Sequence, residues 1–147
     1  MNEKSFPPVF VQGAISMNFI AKIIRQHNRN TLTGAYSIFL GQVRSDETQG
    51  TRVQAVEYTT HTALAMEQFH RIHASVMAKY PLFSLQVFHS TGMVPAGEIC
   101  FFVLAASMHR TEAIKACNET VERVKAEMAI WGRLLLEDDR VEWKENN

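Results

Sequence analysis

The sequence predicts an α+β fold in which three helices pack on a mixed or mainly antiparallel sheet. Three observations lead there. Apolar residues recur at helical spacing in three segments, near 17–27, 62–80 and 111–129. The stretches between them are short, rich in branched and aromatic residues, or alternate in polarity. Strands also follow one another twice without a helix between them, giving the order β-α-β-β-α-β-β-α-β. A purely parallel, doubly wound sheet would not do so.

Each element has its own warrant. Residues 8–12 (PVFVQ) form a short strand after a proline pair. Ser16 caps the first helix, which carries Phe19, Ile20, Ile23 and Ile24 on one face. QHNRNT is a polar turn. Residues 33–43 (TGAYSIFLGQV) are a strand whose Gly34 and Gly41 imply a bulge or a close backbone approach. RSDETQGT is a loop, and residues 52–60 alternate as a strand. The second helix repeats Ala65, Phe69, Ile72 and Val76, and Pro81 ends it. Residues 84–90 are a strand, TGMVPAGE a turn-rich loop, and 98–107 (EICFFVLAAS) the most apolar run, hence a central strand. The third helix carries a stripe of Ile114, Cys117, Val121, Val124 and Met128. LLLEDDRVEW adds a short terminal strand or an extended arm. With no repeat and no linker, residues 1–147 read as one domain.

Composition narrows the function. Lys plus Arg and Asp plus Glu are both 15, a net charge of zero, which argues against a general nucleic-acid binder but leaves room for a local basic pocket. Cys100 and Cys117 are isolated in apolar surroundings, which fits a reducing compartment. MNEKSFPPVF lacks the features of a signal peptide, and no apolar run approaches membrane-spanning length. A soluble cytoplasmic protein without a membrane partner is expected. Asn118-Glu119-Thr120 matches a glycosylation pattern by chance, inside a helix. No metal or cofactor is expected: His70 and His73 stand three apart but lack a third ligand.

Three segments offer chemistry. In VKAEMAIWGR (124–133), Lys125 borders the apolar stripe of the third helix. It is either a snorkelling lysine covering apolar surface or a partly desolvated amine fit for nucleophilic or acid–base work. In SMHRTEA (107–113), His109 and Arg110 fall where the apolar strand ends and a helix begins, a place that favours anions; a solvated turn is the alternative. In FLGQVRS (39–45), Arg44 follows a strand and offers a guanidinium to an anion, or is simply surface.

GAYSIFLGQVR, HSTGMVPAGE followed by SMHRTEA, and VKAEMAIWGR occur in an order and spacing that resemble the large, catalytic subunit of molybdopterin synthase, the MoaE family. The likeness runs from about residue 8 to 143. The resemblance implies an α/β hammerhead-type α+β fold, a homodimer, and a heterotetramer with two small ubiquitin-like subunits. Each small subunit carries a C-terminal thiocarboxylate on a Gly-Gly tail. Its sulfur passes to cyclic pyranopterin monophosphate, and two transfers build the dithiolene of molybdopterin. By position, Lys125 corresponds to the principal catalytic lysine. Gln42, Val43 and Arg44 correspond to the substrate-contacting end of a G-x-V-R motif. His109 and Arg110 correspond to a pair that holds the pterin phosphate from the neighbouring subunit.

The chain departs from the family where the pattern Pro-Ile-Trp-Lys-Lys/Arg-Glu is usual. It reads Ala129-Ile130-Trp131-Gly132-Arg133-Leu134. Gly132, Arg133 and Leu134 still fall on substrate-binding positions, but the proline, the second lysine and the glutamate are gone. Arg133 is expected to swing in as a phosphate-binding cation, though a poor proton shuttle. The alternative is a weakened paralogue that binds the small subunit as a dimeric scaffold.

Overall fold

The apolar run at 99–107 organises everything around it. As β6 (Ile99–Ser107) it is buried along its whole length, so both of its faces have to be covered. In the computed structural model, which describes residues 8–145, helices cover them from opposite sides. Phe101, Val103 and Ala105 pack with α2 (Thr62–Lys79) and α3 (Arg110–Glu127). Phe102, Leu104 and Ala106 pack with Ile20 and Ile23 of α1 (Met17–His27). The period-2 alternation of one strand thereby feeds two cores.

The remaining strands are β1 (Phe10–Gln12), β2 (Ala35–Gln42), β3 (Glu47–Thr48), β4 (Thr51–Thr60), β5 (Leu82–Pro95), β7 (Ile130–Leu136) and β8 (Val141–Trp143). Among the described residues they form one sheet in the order β2-β6-β5-β4-β7-β8. β1 joins β5 in parallel and β3 pairs with β4. Every neighbour along the main path is antiparallel. The expected mainly antiparallel sheet with three helices is what the chain builds. Ser16 accepts a hydrogen bond from the Phe19 amide at 3.1 Å, closing the first turn of α1 as its position predicts. No helix among the described residues is long and apolar enough to cross a membrane.

Four expectations need correction. TGMVPAGE is mostly strand: β5 runs on to Pro95, pairing with β6 through His89 and with β4 from Gly92. Gly92 takes the positive φ of 77° that the change of partner needs, and the true turn is confined to 96–98. The loop at 44–51 contains the small strand β3. The third helix stops at Glu127, not 129, because Met128 turns extended; Ala129 leads straight into β7, so IWGR is strand. The tail therefore makes two strands, β7 and β8, closed by a turn in which Asp139 has φ 66°. Finally, the buried stripe of α3 is Ala113, Ala116, Cys117, Thr120, Val121 and Val124, while Ile114 is 56% exposed. Small residues let the helix lie close on β2 and β6, and a pattern search weighted toward large side chains looks past them. Thr120 is fully buried, with its hydroxyl donating to the Ala116 carbonyl at 2.7 Å, so the threonine of the glycosylation match is out of reach within the helix.

Candidate active site

A cleft of about 1140 Å³ opens where the C-terminal end of α3 meets the ends of β2 and β6 and the β7–β8 hairpin. Gln42, Val43, Arg44, Lys125, Gly132 and Leu134 all line it, so six of the expected site residues come together. A register shift between Gly41 and Gln42 breaks the β2–β6 ladder. Val43 is then pinned by two backbone bonds, donating to the Glu98 carbonyl at 3.0 Å and accepting from the Gly97 amide at 2.8 Å. The bulge re-aims the chain so that Arg44 stands at the mouth, exposed and paired with Asp46 at 3.2 Å. Gly41 is closely packed: a Cβ there would sit 3.2 Å from that of Phe101 and 3.3 Å from the Phe39 ring, so those side chains would have to give. Lys125 reaches the cleft from the last turn of α3, half-buried beside Val124 and Met128.

The floor holds groups that sequence reasoning missed. Tyr58 donates its hydroxyl hydrogen to Cys100 Sγ at 3.4 Å, and the Cys100 thiol donates to the Gly41 carbonyl at 3.5 Å. Burial pushes the pKa of both groups up, so each keeps its proton at neutral pH and Cys100 is no thiolate. His89 packs edge-on against Tyr58 and bonds the Ser90 carbonyl through Nδ1 at 2.8 Å. Burial first, then the nearby charges of Lys125 and Lys144, push its pKa down to about 4. The ring is neutral at pH 7. Because a carbonyl can only accept, the hydrogen sits on Nδ1 and Nε2 keeps its lone pair. These groups come from three different strands, and only the fold brings them together.

Lys144 was also missed. It follows β8 and lies opposite Gly132, its amide donating to the Gly132 carbonyl at 2.8 Å. Burial of its ammonium end, then the charge of Lys125, lowers its pKa, although the residue as a whole is exposed. The signal in the sequence was the alternation of Glu142 and Lys144 against Val141 and Trp143, which marks a strand rather than an arm.

Three expected residues lie elsewhere. Arg133 alternates to the opposite face of β7 from Gly132 and Leu134. There it pairs with its cross-strand neighbour Glu57 at 2.6 Å. It does not swing into the cleft, because a period-2 strand sends adjacent side chains to opposite faces. His109 and Arg110 are exposed at the start of α3, His109 as the N-cap residue. Fifteen residues of helix separate Arg110 from Lys125, roughly 22 Å at the rise of an α-helix. Within one chain the two ends cannot hold the same small ligand. His70 and His73 both tilt against the Phe69 ring, at 5.5 and 5.6 Å.

The cleft thus presents the ammonium groups of Lys125 and Lys144 and the guanidinium of Arg44 over a neutral floor, with the carboxylates of Asp46, Glu142 and Glu145 also along its walls and Asp46 paired with Arg44. The two ammonium groups can hold an anion and transfer or stabilise a proton beside it. Residues 12–127 match the family model described as MoaE protein. The chain is 38% identical over 120 residues to the molybdopterin synthase catalytic subunit of Oryza sativa subsp. indica. That match takes in 82% of this chain but only 61% of the relative's length. Among solved structures, molybdopterin synthase from Staphylococcus aureus superposes with a TM-score of 0.80 at 25% identity, covering 92% of this chain and 95% of that one. A complex of subunits 1 and 2 of molybdopterin-converting factor from Helicobacter pylori shares the fold at TM-score 0.79 and 21% identity, over 94% and 90% of the two chains.

Proposed function

The chain belongs to the MoaE family, and from that premise we propose that it is the large, catalytic subunit of a molybdopterin synthase. It takes sulfur from the C-terminal thiocarboxylate of a small ubiquitin-like partner and transfers it to cyclic pyranopterin monophosphate, in the biosynthesis of the molybdenum cofactor. The observation that carries this reading is the position of Lys125, at the end of α3 in a cleft shared with Arg44 and Lys144. Both reactants are anions, and the two ammonium groups suit them, with Arg44 held at the mouth by Asp46. As sulfur leaves the acyl carbon for the pterin, that carbon passes either to the Lys125 amine, to be freed by water, or directly to water with Lys125 as proton donor, so the small subunit ends as a carboxylate. Gln42, Val43, Arg44, Gly132 and Leu134 bound the substrate space. A subunit complex in a protein of the same fold supports a small-subunit partner here.

The assembly is a homodimer carrying two small subunits, a heterotetramer. The wide separation of Arg110 from Lys125 supports it, since His109 and Arg110 can complete a cleft only from a second copy. Arg133 has no substrate role in this reading; its guanidinium serves Glu57.

The test is single-turnover conversion of cyclic pyranopterin monophosphate by the purified chain with thiocarboxylated small subunit, beside Lys125→Ala. Product is expected from the native chain, with a rate at least about a hundredfold lower in the variant. No product from either, with the small subunit still bound, would favour the rival reading of a scaffold, which Gly132 and Leu134 suggest.

A further inference from the structure

We infer that Lys144 is the second cation of the cleft, an anion-holding residue for the transferred or accepting group, and that position 132 is glycine because the Lys144 stem lies across it. The inference rests on the sulfur-transfer reading of this cleft and deepens it.

Geometry carries it. Gly132 and Lys144 are cross-strand neighbours of the β7–β8 hairpin, so their side-chain directions share a face. That face is the cleft's: Gly132, Leu134, Glu142 and Lys144 all line it. A Cβ built on Gly132 would lie 3.2 Å from Lys144 Cδ, 3.3 Å from Lys144 Cβ and 3.1 Å from Val56 Cγ1. The space above residue 132 is therefore already taken by an aliphatic stem belonging to residue 144. Burial and the charge of Lys125 bear on the head group of that stem, with Asp46 opposing the effect of Arg44. Lys125 and Lys144 line one cleft, and an anion bound between two like charges relieves their repulsion. Arg133, the other candidate, is committed to Glu57 on the far face.

The arrangement predicts an exchange. A cation may come from 144 or from 132, but not comfortably from both. With only 3.3 Å between a Cβ at residue 132 and the Lys144 Cβ, one lysine stem takes the space that the other would use. The experiment uses the full chain and four forms: native, Lys144→Gln, Gly132→Lys, and Lys144→Ala combined with Gly132→Lys. Two readouts are taken, binding of inorganic phosphate followed by amide chemical shifts of cleft residues, and single-turnover sulfur transfer. Thermal melting confirms that each form folds.

Lys144→Gln, which keeps most of the stem and loses the charge, should weaken phosphate about tenfold, the usual size of a lost charge-assisted hydrogen bond. The combined variant should recover most of that loss, and turnover should follow the same order. Lys144→Gln binding and turning over like the native chain would overturn the inference while leaving sulfur transfer standing. Loss in Lys144→Gln without recovery in the combined variant would also overturn it, since a residue that only braces the hairpin cannot be replaced from the opposite strand. If the phosphate pattern holds but the native chain makes no product, the sulfur-transfer reading falls and the second cation stands.

Discussion

His89 should make the stability of this protein fall steeply below neutral pH, and by a calculable amount. Its ordinary pKa is 6.5 and the folded value is about 4, lowered by burial and by the two cleft lysines. The unfolded chain therefore binds a proton here that the folded chain refuses. Stability is unaffected above the unfolded pKa and is lost as pH falls from about 6.5 toward about 4. The difference between the two values, at about 1.4 kcal/mol per pH unit, sets a ceiling of about 3 kcal/mol. At pH 5 the unfolded imidazole is almost fully protonated and the folded one is only about one-tenth so, which gives about 2 kcal/mol. The assay is urea unfolding of the native chain and of His89→Gln at about pH 7.5 and about pH 5. His89→Gln lowers stability at both, but the rest of the chain is the same in the two proteins, so its contribution cancels in the comparison. The native chain should lose about 2 kcal/mol more than the variant between the two pH values. Equal losses would refute the reasoning, and with it the neutral imidazole beneath the lysines.

Other perturbations follow from the same geometry. Arg133→Ala should leave single-turnover sulfur transfer within about twofold of native, because its guanidinium serves Glu57 on the opposite face; a collapse in rate with the melting temperature unchanged would place it in the cleft after all. Gly132→Val should destabilise by about 1–3 kcal/mol in urea unfolding, as its branches meet Val56 and the Lys144 stem. Phe102→Ala, emptying a fully buried site between β6 and α1, should cost about 3–5 kcal/mol by the same measurement, and a loss under 1 kcal/mol would mean that the α1 face collapses to fill the void.

The fold was legible where residues act locally. Ser16 announced α1, Pro81 closed α2, and the unbroken apolar run marked a strand covered on both faces. Periodicity failed where partners come from far away. TGMVP contains turn-forming residues, yet β4 and β1 hold it extended, and nothing within the segment says so. AIWGR reads as a helix end until β4 captures it as β7. The site followed the same divide. Lys125 was visible as a charge at the rim of a stripe, even though the true stripe is built on Ala113 and Ala116. The sequence does not reveal the Arg133 side chain's partner, because neighbours along a strand point to opposite faces and Glu57 comes from β4. Lys144 was hidden because its meaning depends on Gly132 standing opposite, twelve residues earlier.

The double pairing of β5 has a mechanical side. Lys125 is carried by α3, which rests on β2 and β6, whereas Lys144 is carried by a hairpin that joins the sheet through β4. Among the described residues, β5 is the one strand hydrogen-bonded to both β6 and β4, first along 82–89 and then along 92–95. The two halves of the sheet that carry the lysines thus meet at a backbone joint at Gly92, much as the jaws of pliers meet at their pivot, while the chain running from Lys125 through Ala129 into β7 ties them a second time. Stiffening or slackening residue 92 would be felt as a change in how firmly the cleft grips.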